Sequence, residues 1–423
     1  MPSLQDKWIA KIIRGKECQT PLTRREIENY QLQKIREQVS YAKQNSYFYG
    51  ELYKDLNPDE LCSWSDFYRL PFLTANDISE RGPHFLCVRQ DEINHVVTMQ
   101  TSGTTDKPKK IYFTDEDIEL TADYFHNGMY EMCTPEDVFL ILLPAAMPNS
   151  VGDILRVGME RLGAKVIPYG LPDDYDKVLD IIEKQGVSSA VGNPIQLLTL
   201  AELGLKQGLK LQLSSVLLST DYVPQALSKR LNKIWNCKVF EHYGMTEMGL
   251  GGGIFCPQLR GYHFRENDLL FEVVDNNGSP LPDGQWGELV FSTLNRRAMP
   301  LIRYRTGDMG RFLTAACPCG TPLKTAERVK GRINNTLPFS IAELDEIIFA
   351  IDGIVNYQAS AHKQKLEFFI ESTCSIKNSY TERLIAGINK AIKNNFTVNV
   401  KYRQLTPVPA LALTKRKILI TEE

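Results

Sequence analysis

The chain lacks the features that mark membrane-spanning and nucleic-acid-binding proteins. Its longest apolar run, VFLILLPAAM at residues 138–147, is shorter than the roughly 20 residues that cross a bilayer, and it contains Pro144. The N-terminal residues lack the continuous apolar segment of a signal peptide. The 49 Lys and Arg residues are balanced by 51 Asp and Glu residues, without a basic block for a nucleic acid. We therefore expect a cytoplasmic protein whose partners include neither a membrane nor a nucleic acid.

Cysteine occurs nine times, an odd number that argues against a framework of disulfides in a reducing compartment. Most of these residues are scattered without the spacing of metal ligands. We expect them to pack as small apolar side chains: Cys18, Cys62, Cys87, Cys133, Cys237 and Cys374.

Three other cysteines and one histidine have a spacing that favours a metal site. Cys256 and His263 form a C-x6-H pair, and Cys317 and Cys319 lie in a C-P-C-G knuckle. Three thiolates and one imidazole are a closed tetrahedral ligand set of the kind that holds zinc. The sequence therefore predicts structural Zn²⁺ at these four residues. The alternative is three reduced cysteines and an unrelated surface histidine.

The order of apolar segments predicts an α/β fold in two parts. From about residue 137, strand-like runs alternate with amphipathic helices, which indicates a mostly parallel sheet covered by helices on both faces. Between residues 268 and 313, LLFEVVD and GELVFSTL flank a glycine-rich turn and indicate antiparallel strands. We predict a large N-terminal domain over residues 1–333 and a small, mobile α+β C-terminal domain over residues 334–423.

The segment TSGTTDKPKK, residues 101–110, concentrates small hydroxyl side chains and lysines. It does not have the spacing of a Walker loop. Hydroxyl groups, the backbone N–H groups around Gly103 and lysine side chains can nevertheless surround an anionic triphosphate. On its own, the segment fits a phosphate loop and a polar surface turn equally well.

Further motifs follow this segment in a fixed order. They are YGMTE at 243–247, YRTGD at 304–308, GR at 331–332 and TKRK at 414–417. The ordered set resembles the adenylate-forming enzymes, a superfamily of acyl- and aryl-CoA ligases, adenylation domains and luciferases. NSYFYGELY and RLPFLTANDI are similar to elements of its phenylacetate-CoA ligase branch. The resemblance extends over essentially the whole chain.

This resemblance implies an enzyme that joins a carboxylic acid to ATP with the help of Mg²⁺. The products of the first half-reaction would be an acyl-adenylate and pyrophosphate, and the acyl group would then pass to a thiol, usually that of coenzyme A. The residues that the motifs imply for the β- and γ-phosphates are Ser102, Gly103, Thr104, Thr105 and Lys109. Those implied for the rest of the nucleotide and its cation are Tyr243 (adenine), Thr246 (α-phosphate), Glu247 (Mg²⁺), Asp308 (ribose) and Arg332 (ribose and phosphate).

The C-terminal motif implies that Lys415 bridges the acyl carboxylate and the α-phosphate. Lys417 competes for this role, and a solvated basic tail is the structural alternative. The resemblance also implies a hinge at Asn334. For Glu247, the alternative is an acid favoured at a helix N-terminus. For Asp308 and Arg332, it is membership in ordinary surface ion pairs.

The chain departs from the family pattern at several positions. Asp106 replaces a glycine of the phosphate loop, Thr414 replaces the glycine before the lysine, and Asn334 replaces the usual Asp or Lys. The junction segment LPFSIAELDE also lacks the glycine that helps to form the thiol tunnel. Two acceptors therefore stay open, coenzyme A and a carrier protein or other nucleophile.

The substrate pocket is expected to include the segments PAAMP and MGLGGG. Its predicted lining residues are Ala145, Ala146, Met147, Gly249 and Gly251. Small residues leave room for a flat or branched acid, so an aryl or aryl-alkanoic acid is the first expectation and a medium-chain acid the second. A catalytically inactive scaffold is a further alternative, against which the retained motif residues argue. A homodimer is one assembly that the sequence allows.

Overall fold

The computed structural model describes residues 3–17, 20–99, 108–333, 339–362, 364–376, 378–393 and 396–405, and the backbone of residues 418–421. The chain divides into two compact units. The first comprises Met1–Glu131 and His242–Asn334, and the second comprises Met132–Glu241 and Asn335–Glu423. Among the described residues, no helix has the length and apolar character that a membrane span requires.

Helices and strands alternate through most of the chain. The helices are α1 (Leu4–Arg14), α2 (Arg24–Asn45), α3 (Tyr47–Leu52), α4 (Trp64–Phe67), α5 (Ala75–Arg81), α6 (Asp115–Met129), α7 (Val151–Leu162), α8 (Tyr175–Gln185), α9 (Pro194–Lys206), α10 (Gln225–Trp235), α11 (Ile341–Ile348) and α12 (Asn378–Ala391). The strands are β1 (His95–Met99), β2 (Lys109–Phe113), β3 (Val138–Leu142), β4 (Lys165–Pro168), β5 (Ser189–Gly192), β6 (Ser215–Leu218), β7 (Lys238–Tyr243), β8 (Gly253–Phe255), β9 (Tyr262–Phe264), β10 (Leu269–Val274), β11 (Gly287–Thr293), β12 (Tyr304–Gly310), β13 (Thr325–Ala326), β14 (Ile354–His362), β15 (Lys365–Ser372), β16 (Thr397–Gln404) and β17 (Ile418–Thr421).

The first unit is built from antiparallel strands and N-terminal helices. Its sheets are the pair β1–β2, the sheet β10-β11-β12, and the strands β8, β9 and β13, which pair in the order β13-β9-β8. Helix α1 buries Trp8 and Ile9, and the Trp8 indole N–H donates to Asp123 Oδ2 at 2.8 Å. Helix α2 begins at a capping box in which Thr23 and Glu26 satisfy each other's backbone N–H groups.

The second unit contains a parallel sheet of β4, β3, β5, β6 and β7, in that order. Strands β5 and β6 are buried along their whole length, as expected for strands that are covered on both faces. Its C-terminal part forms a second sheet, ordered β16-β15-β14-β17, with helices α11 and α12. One apolar core extends through both parts of the unit, from Leu140 and Trp235 to Ile348 and Phe368.

Two polar contacts join the parts of the second unit at α10. This helix starts after Pro224 without a side-chain cap, and its first two N–H groups, of Gln225 and Ala226, instead donate to the Glu346 carboxylate at 2.5 and 2.8 Å. One turn later, the buried Arg230 forms an ion pair with Glu202 of α9. The same guanidinium donates to the carbonyls of Phe349 and Ile354, at 3.3 and 2.6 Å. The Glu346 carboxylate therefore performs the capping that the chain next to α10 does not provide.

The mixed α/β fold that the sequence predicts is confirmed, including the strand–helix alternation from β3 to β5 and the antiparallel pair β10–β11. The expectation of apolar packing is wrong for Cys62 and Cys374, which are exposed because both lie in loops. Residues 335–423 belong to the second unit together with residues 132–241. The prediction of a separate, mobile C-terminal domain stays a prediction.

Candidate active site

The YGMTE motif continues from β7 into a short 3₁₀ helix, Thr246–Met248. Gly249 ends this helix with a left-handed backbone (φ 78°), a conformation that favours glycine. A Cβ at this position would also lie 2.5 Å from Arg296 Nη2. The end of this short loop therefore leaves no room for a residue larger than glycine.

Buried side chains outside this loop hold it in place through hydrogen bonds to its carbonyl groups. The Arg265 guanidinium is almost fully buried and donates to the carbonyls of Met248 and Leu120, the second at 3.3 Å. The Thr121 hydroxyl donates to the Gly249 carbonyl at 2.9 Å. A buried donor that satisfies a buried carbonyl stabilises one loop conformation, since either group alone would be left without a partner.

Glu247 lies at the centre of a compact polar group. The Lys109 ammonium, at the start of β2, forms an ion pair with Glu247 Oε1. It also donates to the Tyr304 hydroxyl at 3.2 Å, and that hydroxyl donates to the same Glu247 oxygen at 3.0 Å. The Lys109 and Glu247 side chains are only 12% and 7% exposed. Burial and the neighbouring carboxylate raise the pKa of Tyr304 strongly, so its hydroxyl keeps its proton.

A second polar group forms around Asp308 on β12. Its two carboxylate oxygens accept from different partners: Oδ2 from the Tyr243 hydroxyl at 2.9 Å, and Oδ1 from Arg332 Nε at 3.1 Å. Arg332 Nη1 also donates to the Thr306 carbonyl at 2.5 Å. Burial, followed by the Asp308 charge, raises the pKa of Tyr243 well above its usual range. Tyr243 thus presents a buried neutral ring whose hydroxyl is anchored to a carboxylate.

The described residues of the predicted nucleotide site therefore lie in one unit and contact each other in two groups. Glu247 can supply an oxygen ligand to a hard cation, and Asp308 can accept hydrogen bonds from hydroxyl groups. Lys109 and Arg332 can neutralise phosphates. Thr246 begins the 3₁₀ helix that carries Glu247. Several predicted residues lie outside the described part of the chain: Ser102, Gly103, Thr104, Thr105, Asn334 and Lys415.

Tyr304 opens the YRTGD motif but is not among the site residues predicted from the sequence. Tyr304 lies four residues before Asp308 in the same motif and in the same strand, β12. The register of β11 and β12 shifts between Glu288 and Val290, and Gly307 has a left-handed backbone (φ 73°), so regular strand alternation does not extend from Tyr304 to Asp308. Membership in the motif is therefore the signal that could have identified Tyr304.

The residues predicted to line the acid pocket are divided between the two units. Gly249 and Gly251 are buried in the first unit, where a Cβ on Gly251 would lie 2.5 Å from the Tyr124 ring. In the second unit, Ala145 is half-buried, Ala146 is exposed and Met147 is 71% exposed. Close packing within the first unit already explains why both glycines are small, and the acid pocket stays a prediction.

The four residues predicted to bind zinc come together in the first unit. Cys256 follows β8, His263 lies in β9, and Cys317 and Cys319 lie in the loop between β12 and β13. Their candidate ligand atoms all lie within 4.8 Å of one another, with Cys256 Sγ 3.6 Å from Cys317 Sγ and Cys319 Sγ 3.6 Å from His263 Nε2. Bond lengths of about 2.3 Å around a tetrahedral zinc put two sulfurs about 3.7 Å apart, so this spacing fits the metal.

The ionisable groups of the Cys/His cluster shift one another's pKa. Burial would raise the pKa of Cys317, but hydrogen bonds, first from His263 and then from Cys319, lower it to about 6, whereas burial raises the pKa of Cys319. His263 Nδ1 is buried without a hydrogen-bond partner. The cluster therefore concentrates ionisable sulfur and imidazole in one buried place.

Comparisons with known proteins identify what the chain is similar to. The family model described as AMP-binding enzyme matches residues 2–295. Phenylacetate-coenzyme A ligase of Thermus thermophilus is 29% identical over 361 residues, which cover 81% of this chain and 80% of that protein. The Pseudomonas putida enzyme of the same name is 28% identical and covers 74% and 72% of the two chains. A crystal structure of 2-hydroxyisobutyryl-CoA ligase in the postadenylation state has a similar fold, with a TM-score of 0.79, 21% identity and coverage of 94% and 89%.

Proposed function

The chain belongs to the family of AMP-binding enzymes, and on that premise we propose that it is an AMP-forming acid–CoA ligase. It activates a carboxylic acid with ATP to an acyl-adenylate and then transfers the acyl group to coenzyme A. The observation that carries this proposal is the convergence of Lys109 and Glu247 with Tyr243, Asp308 and Arg332 in one unit. Convergence of five motif residues argues against an inactive scaffold.

In the first half-reaction, a carboxylate oxygen of the substrate attacks the α-phosphorus, and the bond to the oxygen bridging to the β-phosphate breaks. Pyrophosphate leaves with that electron pair. The step needs neutralisation of phosphate charge more than a covalent catalyst. Lys109 and Arg332 supply positive charge, while Tyr243 and Asp308 are placed to hold adenine and ribose. Glu247 would hold Mg²⁺, which screens the phosphate oxygens when bound.

In the second half-reaction, the coenzyme A sulfur attacks the acyl carbon and AMP leaves. Coenzyme A is the acceptor in the names of both relatives described above. Their substrate, phenylacetate, supports an aryl or aryl-alkanoic acid for this chain as well. The altered junction segment keeps a carrier protein as the alternative acceptor.

Release of AMP tests the proposal directly. The protein is incubated with ATP, Mg²⁺ and a panel of aromatic and aliphatic acids, with and without coenzyme A, and AMP and thioester are measured. We expect AMP and thioester in equal amounts with at least one aryl or aryl-alkanoic acid. The absence of ATP binding and of AMP release with every acid would overturn the proposal. Adenylate that accumulates until a carrier protein is added would favour the alternative acceptor.

We further propose that the Cys/His cluster of Cys256, His263, Cys317 and Cys319 holds one structural Zn²⁺. The fit of the ligand atoms to a tetrahedral metal supports this assignment. The cluster joins residues that are up to 63 positions apart in sequence (319 minus 256). Such a closed site would stabilise the fold and take no part in phosphate chemistry.

A further inference from the structure

The contacts among Lys109, Glu247 and Tyr304 bear on the binding of a cation as well as on the binding of phosphate. Glu247 Oε1 has two donors, the Lys109 ammonium and the Tyr304 hydroxyl, and these two also contact each other at 3.2 Å. The three polar atoms form a closed triangle. All three side chains are buried or nearly so, with Tyr304 at 2% exposure.

One carboxylate oxygen in this triangle is a potential ligand for two different cations. A divalent cation needs Glu247 as an oxygen ligand, and the Lys109 ammonium already pairs with that oxygen. A cation next to an ammonium in a partly desolvated place is strongly repelled, because the local dielectric screens charge less than water does. Lys109 and a divalent cation are therefore competitors for Glu247.

We propose that Lys109 makes cation binding at Glu247 conditional on the nucleotide, and that Tyr304 is the positioning residue that holds Glu247 in place. Phosphate groups draw the Lys109 ammonium away from Glu247, and the carboxylate then becomes available as a ligand. The Tyr304 hydroxyl keeps its hydrogen bond to Oε1 while the ammonium moves. This inference rests on the proposed function and adds an order of binding to it.

The proposal predicts that removal of the Lys109 charge has opposite effects on nucleotide binding and on cation binding. Loss of the Lys109 charge weakens nucleotide binding, as expected for any phosphate ligand. The same loss strengthens the binding of a divalent cation to the protein alone, because the competitor is gone. If Lys109 served phosphate only, the affinity for a cation without nucleotide would not change.

Binding of Mn²⁺ to the protein alone, measured by the loss of the free-ion electron paramagnetic resonance signal, tests this consequence. Lys109→Gln keeps a hydrogen-bond donor near Glu247 but removes the charge. We expect it to bind Mn²⁺ about tenfold more tightly than the wild type, as removal of one close like charge implies. Its affinity for ATP without metal should fall. Lys110→Gln is the matched control, since Lys110 is the next residue of β2 and is exposed; its Mn²⁺ affinity should equal that of the wild type.

The double variant Lys109→Gln, Glu247→Gln locates the effect, because the gain in Mn²⁺ affinity should disappear when the carboxylate is removed.

Tyr304→Phe tests the positioning role. It should weaken Mn²⁺-dependent ATP binding about tenfold or more, in line with loss of one hydrogen bond to a charged group, and leave metal-free ATP binding unchanged. Equal losses in both measurements would show that Tyr304 only supports the fold.

The proposed competition between Lys109 and the cation would be overturned if Lys109→Gln unfolds at the wild-type temperature but binds Mn²⁺ no more tightly than the wild type. If Lys109→Gln does not fold, Lys109→Met gives the same comparison. None of these measurements requires an acid substrate. Failure of the proposed ligase activity would therefore be seen separately, in the absence of AMP release.

Discussion

The two units of the protein bury different kinds of side chain. In the first unit, charged groups such as Glu247, Arg265 and Arg303 lie among the antiparallel strands. In the second unit, the interior around β3, β5 and β6 is mostly apolar, and the pair Glu202–Arg230 is one of its few buried ion pairs. Buried charge requires partners from specific directions, whereas apolar packing requires mainly volume. The buried charges of the first unit therefore suit the binding of a polyanion, whereas the apolar interior of the second unit suits a structural role.

One motif nevertheless recurs in both units. Arg303 pairs with the buried Glu272 and donates to the Tyr68 and Leu70 carbonyls at 2.6 and 2.7 Å. Arg230 in the second unit has the same pattern, with one buried glutamate and two backbone carbonyls from a distant segment. In each unit, a single guanidinium fork joins segments that are remote in sequence. We therefore predict that substitution of either arginine destabilises the fold, whereas substitution of residues in the candidate active site lowers activity.

The largest expected effect on stability is that of Arg303→Met, which leaves Glu272 buried without its cation. We expect the free energy of unfolding to fall by roughly 3–5 kcal/mol, measured by denaturant titration at neutral pH. Burial already raises the pKa of Glu272, so the folded state binds its proton more readily than the unfolded state. The loss should therefore shrink as the pH falls, because Glu272 becomes protonated. Arg69→Met is the matched control, since Arg69 is 81% exposed and pairs with Asp66 at 4.0 Å, so its loss should cost about 1 kcal/mol or less.

The largest expected effect on activity is that of Glu247→Gln, which keeps the shape of the side chain but removes its charge. The rate of adenylate formation should fall about 10²–10³-fold, as for other losses of one preorganised electrostatic contact. The concentration of Mg²⁺ at half-maximal rate should rise. Glu92→Gln, an exposed residue of the same unit, should behave like the wild type. A Mg²⁺ titration unchanged in Glu247→Gln would remove this residue from the cation site.

The contrast between the units also explains what the sequence could predict. Buried parallel strands leave apolar runs, so β3, β5 and the strand–helix alternation between them were predictable from the order of apolar segments. Contacts such as Lys109–Glu247, between residues 138 positions apart, leave no periodic signal. The resemblance to adenylate-forming enzymes located these residues but did not predict that they pair with each other. The capping of α10 by Glu346 could not be predicted for the same reason, because it depends on how distant segments pack.

Removal of zinc is expected to have a smaller effect on stability than loss of Arg303, since other contacts of β8, β9 and β13 remain. Elemental analysis should find one zinc per chain in protein purified without chelators. The double variant Cys317→Ser, Cys319→Ser should lose the metal and unfold about 5 °C lower, equivalent to a loss of about 2 kcal/mol. Cys62→Ser, at an exposed cysteine, is the control. Wild-type protein without zinc would contradict the assignment.

The smallest expected effect is that of Glu346→Ala in the second unit. The first N–H groups of α10 lose their carboxylate acceptor, and water replaces it only in part. We expect a loss of about 1 kcal/mol in the free energy of unfolding, as for removal of other helix caps. Glu382→Ala, at an exposed position of α12, should have little effect. A loss at Glu346 no larger than that at Glu382 would mean that the cap does not contribute.

The central claim is that the protein activates a carboxylic acid with ATP. Exchange of labelled pyrophosphate into ATP tests it most directly, because the label enters ATP only when adenylate forms and reverses. The measurement uses wild-type protein and Mg²⁺ without any thiol acceptor, and compares the rate with and without each acid of an aryl and aryl-alkanoic panel. We predict exchange that requires an acid and is abolished when Mg²⁺ is chelated. Exchange that is absent with every acid, in protein that binds ATP, would contradict the claim.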